Sequence, residues 1–241
     1  MNAAPAASIE EAFRHAMELD APLDARLGVI RDAYRRLHGD TAEVADRLVA
    51  RLQQVAAGQL APQPGESMPP FLLPDEAGRL VSLEGLLTEG PVAVVFHRGH
   101  WCPYCRLTAA ALQEAEADIA ASGGRIVAIT PERRGYAARL KAASGASFPV
   151  LADLDNGYAL SLNLAICMGA ELQARMEALG RDLSTYQGNS AWVVPVPATF
   201  VVRPDGIIAD RHVDPDYRRR MDIGWLVAAM RRAAAGGQAS A

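Results

Sequence analysis

The chain is poor in several residue types, and each shortage excludes something. Three cysteines in 241 residues, an odd number, exclude a disulfide scaffold. Lysine is nearly absent: Lys141 is the only one, so the positive charge is carried by arginine. A net charge of −4 supplies no basic field for a nucleic-acid partner. No apolar run reaches the roughly 18–20 residues of a membrane span. The start, MNAAPAASIEEAF, lacks the basic head and apolar middle of a secretory signal. No nucleotide, haem or flavin motif occurs, so no cofactor is expected. These absences lead to the expectation of a soluble, cytoplasmic protein. In a reducing compartment a Cys-x-x-Cys pair is catalytic or metal-binding rather than structural.

What is present is a chain with 50% hydrophobic residues, enough for a full core. Residues 8–58 read as helices only. Ser8 and Glu11 form a capping box before Ile9, Phe13, Ala16 and Met17. A second helix is expected from Pro22 to about His38, with Leu23, Leu27, Ile30, Tyr34 and Leu37 at helical spacing. Gly39 is expected to end it and Asp40 to cap a third. Val44, Leu48, Leu52 and Val55 form that helix's stripe, and Gly58 closes it. These stripes are packing faces, or else a contact for a partner or a homodimer. QLAPQPGESMPP, residues 59–70, reads as a linker.

Beyond it the period changes. FLLPDEAGRLVSL suggests two short strands around a turn. Val92–Phe96, Arg125–Ile129 and Phe148–Ala152 read as buried strands. Helices are expected over Pro103–Ser122, Glu132–Ala143 and Asn156–Leu164. Thr199–Val202 and Ile207–Arg211 are strands joined by the hairpin signal Arg203-Pro204-Asp205-Gly206, and Met221–Ala234 is a closing helix. The order predicts an α/β fold with a mixed central sheet. The expected division is a helical extension over 1–60, an α/β domain over 61–235 and a disordered tail over 236–241.

The chemistry centres on RGHWCPYC, residues 98–105, at a strand-to-helix junction. A helix N-terminus favours negative charge, so a cysteine there is expected to have a lowered pKa, with Arg98 and Arg106 pushing the same way. Pro103 suits the first helical turn. Metal binding is the weaker reading: zinc wants four ligands, and although His97 and His100 flank the pair, no second such motif follows. His97 is as readily packing as chemistry, and His100 is loop surface or a tuner of the thiols. Cys167, alone in an apolar stretch, reads as a buried bystander, with a second resolving cysteine as the alternative.

Trp101-Cys102-Pro103-Tyr104-Cys105-Arg106 after an apolar strand resembles the thioredoxin superfamily, and its Cys-Pro-Tyr-Cys core is similar to a glutaredoxin site. Val196-Pro197-Ala198-Thr199-Phe200, then Asp205-Gly206, resembles that superfamily's cis-proline strand. The resemblance implies a thioredoxin-like fold with Pro197, after a cis bond, beside the redox pair. MPPFLLPDEAGRLVSLEGLL and PVAVVFHRGHWCPYCRLTAAAL resemble the peroxiredoxin-like branch, the AhpC/TSA and redoxin group.

That resemblance implies a thiol-dependent peroxidase acting on hydrogen peroxide or organic hydroperoxides, reset by a thioredoxin- or glutathione-type reductant. The implied catalytic residues are Cys102 and Cys105. Arg98, Trp101, Pro103, Pro197 and Thr199 would bind substrate or tune the thiols. Two registers remain open. Read as a thioredoxin, Cys102 is the nucleophile and Cys105 resolves; position at the helix start leans that way. Read as a peroxiredoxin, Cys105 takes the peroxidatic position, Cys102 that of the family's threonine and Arg98 that of its proline. The family's arginine on the later strand has no counterpart, because Pro197 stands near its place. The alternatives are a disulfide reductase without peroxidase activity, and a redox-switched helical interaction module. Residues 165–195 are an insertion that roofs the site in this reading, with Tyr186, Asn189 and Trp192 as candidates to meet substrate. Asp214, Asp216, Tyr217 and Arg218, in DPDYRRR, resemble a stretch of this subgroup, and Arg218–Arg220 read as a solvated face.

Overall fold

A computed structural model describes residues 6–236. The chain opens with three helices, α1 (Ile9–Glu18), α2 (Leu23–Leu37) and α3 (Gly39–Gln54), then a hairpin, β1 (Leu72–Pro74) with β2 (Leu80–Ser82), and the short α4 (Leu83–Leu87). It continues through β3 (Val92–Phe96), α5 (Pro103–Glu114), α6 (Glu116–Ala121), β4 (Arg125–Thr130), α7 (Arg134–Ser144), β5 (Val150–Ala152) and α8 (Gly157–Ser161). An inserted stretch carries β6 (Ala165–Cys167), α9 (Ala170–Ala178), α10 (Leu183–Gln187) and β7 (Val193–Pro195). The chain closes with β8 (Ala198–Val202), β9 (Ile208–Val213) and α11 (Ile223–Gly236).

The central sheet has the order β5-β4-β3-β8-β9. β3 pairs parallel with β4 and β4 with β5, whereas β8 is antiparallel to β3 and to β9. Period-two alternation sorts β3 between two cores. Ala93 and Val95 face α5, α6 and α11 through Leu112, Ile119, Leu226 and Met230. Val92, Val94 and Phe96 face Phe71, Tyr158 and Phe200.

Ser8 caps α1 by accepting from the Glu11 N–H, and Glu11 reaches back to the Ala7 N–H rather than to Ser8's own. Asp40 does not cap α3. The helix begins at Gly39, with His38 as its cap residue, because α2 and α3 join without a loop residue to spare. Val55 falls outside the helix and is exposed. The helix expected over Pro103–Ser122 breaks at Ala115. Residues 59–70 are not a free linker: Gly65 and Met68 donate backbone bonds to Ile208 and Gly206, and Ala61 and Met68 join the core. Of the expected tail, Gly236 ends α11, and residues 237–241 lie outside the described residues.

The helical extension packs inward. Phe13, Ala16, Leu23, Leu27 and Ile30 share one cluster with Cys102, Tyr104, Cys105 and Leu107. Val44, Ala45, Leu48 and Leu52 share another with Met168, Leu172, Met176 and Trp192 of the insertion. Two forked ion pairs tie the first group to α5. Arg26 grips Glu114 at 2.7 and 3.0 Å, and Arg106 grips Glu10 at 2.9 and 2.8 Å. The stripes on α1–α3 are therefore buried within the chain, and two of these helices roof the Cys-x-x-Cys segment.

Candidate active site

Strand β3 ends at Phe96, and residues 97–101 carry the chain over the sheet edge to α5. Gly99 turns this loop at φ +143°, and a side chain there would strike the Glu132 carboxylate and the Trp101 indole. Only glycine allows that approach. Cys102 is the N-cap residue of α5, Pro103 its first residue and Cys105 lies within its first turn. The missing N–H of Pro103 costs nothing at that position. Both cysteines are free thiols and fully buried.

Two arginines converge on them. The Arg98 backbone N–H donates to Cys105 Sγ at 3.3 Å, and its Nη2 donates to Cys102 Sγ at 3.5 Å. The Arg98 guanidinium itself is buried, seated 3.7 Å over the Tyr217 ring and 5.0 Å from that of Trp101. From the far end of the chain, Arg220 Nη2 donates to Cys105 Sγ at 3.6 Å. Arg220 has no carboxylate partner among the described residues. Arg106, expected to act on the thiols, instead pairs with Glu10 and covers the Phe13 ring.

These charges separate the two thiols. Burial by itself raises Cys105. The Cys102 S–H donating to it, the Arg220 and Arg98 charges and the Arg98 N–H overcome that and bring it down to about 5. Cys102 goes the other way, pushed well up by burial and by its role as donor to an anionic neighbour. The lowered thiol expected at the helix start is thus Cys105, in the first turn, and not Cys102 at the N-cap. One negative charge fits in this pocket, and it resides where the donors are most numerous. His97, next to the pair in sequence, is buried and lowered to about 3 by desolvation and the Arg220 charge. It is neutral, and neither ring nitrogen has a partner.

The other predicted residues divide. Trp101, Pro103 and Tyr104 line a slot completed by Arg98, Tyr217 and, across from them, α2, α3 and α9. The insertion does roof the site, but through Met168, Leu172 and Met176. Tyr186 stacks edge-on to His100, whose Nδ1 lies 2.7 Å from the buried Glu132. Asn189 bonds Asp155, and Trp192 is core. Thr199 sits on β8 opposite Val95 and His212, with no bond to either thiol. Pro197 precedes Ala198, the partner of Phe96, so it lies at the strand ends where the redox loop begins. Its peptide bond is trans, as are all bonds among the described residues; the expected cis bond is absent. Cys167 is exposed on β6 rather than buried.

Sequence reading missed the parts played by Arg220 and Glu132, and it noted Tyr217 only as part of a stretch resembling the subgroup. Arg220 ends the run Arg218–Arg220, which was read as a solvated face. Glu132 is followed directly by two arginines and gives no signal of burial.

The AhpC/TSA family profile matches residues 64–211. A Mycobacterium tuberculosis protein carrying the name peroxiredoxin is 30% identical over 145 residues, 60% of this chain and 81% of the relative. Among solved structures, the peroxidoxin BcpB of Mycobacterium tuberculosis superposes with a TM-score of 0.53 at 20% identity, covering 74% of this chain and 98% of that one. A peroxiredoxin 6 of Arenicola marina gives 0.54 at 15% identity, over 70% and 72% of the two chains. At such identities these two likenesses speak to the fold, which is thioredoxin-like.

Proposed function

The chain belongs to the AhpC/TSA family, an enzyme family of peroxidases and thiol oxidoreductases, and from that premise we propose that it reduces peroxides with Cys105 as nucleophile and Cys102 as resolving thiol. The observation that carries the reading is the convergence of Arg98 and Arg220 on the Cys105 sulfur. A thiolate attacks a peroxide only if it is ionised at working pH, and these donors favour the ion.

The Cys105 thiolate attacks one peroxide oxygen and the O–O bond breaks. Cys105 becomes a sulfenic acid, and the other oxygen leaves as an alcohol or water after taking a proton. Cys102 then attacks the Cys105 sulfur, hydroxide leaves as water, and a disulfide closes within one helical turn. A thiol reductant returns the two electrons. Consumption of the Cys105 charge removes the repulsion that holds Cys102 protonated, so the second thiol is activated only after the first has reacted. Complete burial of both sulfurs under α1 and α2 favours a small electrophile over a protein disulfide.

The disulfide-exchange reading keeps one supporting observation: Cys102 at the N-cap, before Pro103. Rapid mixing of reduced protein with one equivalent of hydrogen peroxide, followed by intact mass, separates the two. The peroxidase reading expects fast formation of a 102–105 disulfide. Oxidation no faster than that of a free thiol, together with ready reaction with a disulfide, would make the protein an exchanger.

A further inference from the structure

The two clusters formed by the helical extension meet along a seam. Tyr104 belongs to one, Ala45, Met168, Leu172 and Met176 to the other, and Trp101 and Tyr217 pack against both. In this seam lies a slot of about 570 Å³, counting the solvent at its mouth. Leu172 and Met176, one turn apart on α9, line one side. Ala42 and Ala45, three residues apart on α3 and so on one face, line it with small side chains and leave the space. Trp101, Pro103 and Tyr104 supply a further wall.

Five arginines line the slot and no carboxylate does. Their own partners differ. Arg218 is forked by Asp216 and also bonds Asp46, which Arg35 shares. Arg31, exposed on α2, reaches Asp32 only at 3.6 Å. Arg98 gives its guanidinium to Cys102 Sγ and to the Tyr217 ring, and its Nε is buried without a partner. Arg181, half-buried between α9 and α10, lies 5.3 Å from the Tyr34 ring and has no carboxylate partner among the described residues. Glu10, whose charge reaches it, is already forked by Arg106. Burial holds Arg181 below the ordinary guanidinium value, the direction for a cation with too little counter-charge.

We infer that the slot is a binding site for an unbranched alkyl monocarboxylate, its chain along α9 and its carboxylate on Arg181. Shape and charge carry this together. An apolar slot with few polar groups takes a hydrocarbon body. A guanidinium short of counter-charge takes a carboxylate through two parallel N–H···O bonds. Met168 and Met176 adapt to a chain of no fixed contour. A ring is disfavoured, because the Tyr34 and Tyr104 ring centroids are 6.5 Å apart, a spacing at which two rings already pack on each other. Exposed Arg31 and Arg35 give the mouth a positive field that draws an anion and repels a cationic amphiphile. The inference does not rest on the thiol cycle proposed above, since the ligand has no need to reach either sulfur.

The test is calorimetry on the reduced full chain at neutral pH, with octanoate, 1-octanol, octylammonium and acetate as probes. Octanoate is expected to bind saturably at one site, at least about tenfold more tightly than 1-octanol. Octylammonium should bind more weakly than 1-octanol, and acetate not measurably. In Arg181→Met the octanoate affinity falls about tenfold, to the level of 1-octanol, whose own affinity is unchanged. In Ala42→Leu, which fills the slot, both lose binding. The inference is overturned if octanoate does not saturate the wild-type chain, or if 1-octanol, octylammonium or acetate binds as tightly. Octanoate binding at wild-type strength in Arg181→Met would remove the carboxylate from Arg181, and at wild-type strength in Ala42→Leu would remove the chain from the slot. The probe series on the wild-type chain decides the question even where a variant fails to fold.

Discussion

Arg220 and Cys105 stand 115 residues apart in the chain and 3.6 Å apart in space. Their contact, with the Arg98 N–H on the other side of the same sulfur, decides which of two adjacent thiols carries the charge. Two of the four predictions below test that contact, and two test the helical roof and the loop beside it.

Cys105→Ser should abolish peroxide reduction, by at least about a thousandfold. Cys102→Ser should still react once, stopping at a sulfenic acid that a dimedone probe traps on Cys105. A sulfenic acid on Cys102 in the Cys105→Ser protein, formed at the wild-type rate, would invert the assignment.

The pair should titrate in two separated steps. Cys105 is depressed to about 5, so thiolate absorbance and alkylation rise with pH through that region and are nearly complete at neutrality. The second step lies far above it, because Cys102 is raised. The sign for stability follows from the depressed group. The Cys105 contribution is fully present above the unfolded thiol pKa of about 8.5 and is lost as pH falls through about 5. In Arg220→Met the first step should move up toward the ordinary thiol range, with peroxide oxidation at pH 6 slowed about 10- to 100-fold. An unmoved first step would remove Arg220 from the site.

Glu114→Gln should loosen the roof. Arg26 is buried while Glu114 is half exposed, so solvent screening limits the loss to about 1 kcal/mol, read as a lower urea midpoint. Alkylation of the two buried cysteines should speed up in step with the loss, since opening of α1 and α2 uncovers them. Unchanged alkylation alongside lowered stability would show that reagents enter another way.

Gly99→Ala should be damaging far beyond its size. The added carbon would lie 2.6 Å from both the Glu132 carboxylate carbon and Trp101 Nε1, at φ +143°. A loss of about 2–4 kcal/mol is expected, with a shift of Trp101 fluorescence. A neutral result would mean that the loop is not fixed by this contact.

Much of this architecture is legible in the residues. The five apolar residues Val92–Phe96 mark the central strand at its true limits, since burial on both faces leaves no polar position. Arg203-Pro204-Asp205-Gly206 marks the β8–β9 hairpin, and the Cys-x-x-Cys falls on the first turn of α5, as Pro103 suggests. The cis bond before Pro197 was carried over from a resemblance and is not found. Asp40 failed as a cap because capping depends on where the preceding helix ends, which its own residue type does not encode.

The sequence by itself determined most of the succession of strands and helices along the chain, the helical stripes and the two sulfurs at one helix start, because periodicity and turn chemistry are local. Only the tertiary structure decided which sulfur holds the charge and what covers it. A thiol's ionisation depends on every donor and cation within a few ångströms, and those came from Arg98, Arg220 and the folded-back helices α1 and α2, brought together by packing rather than by spacing.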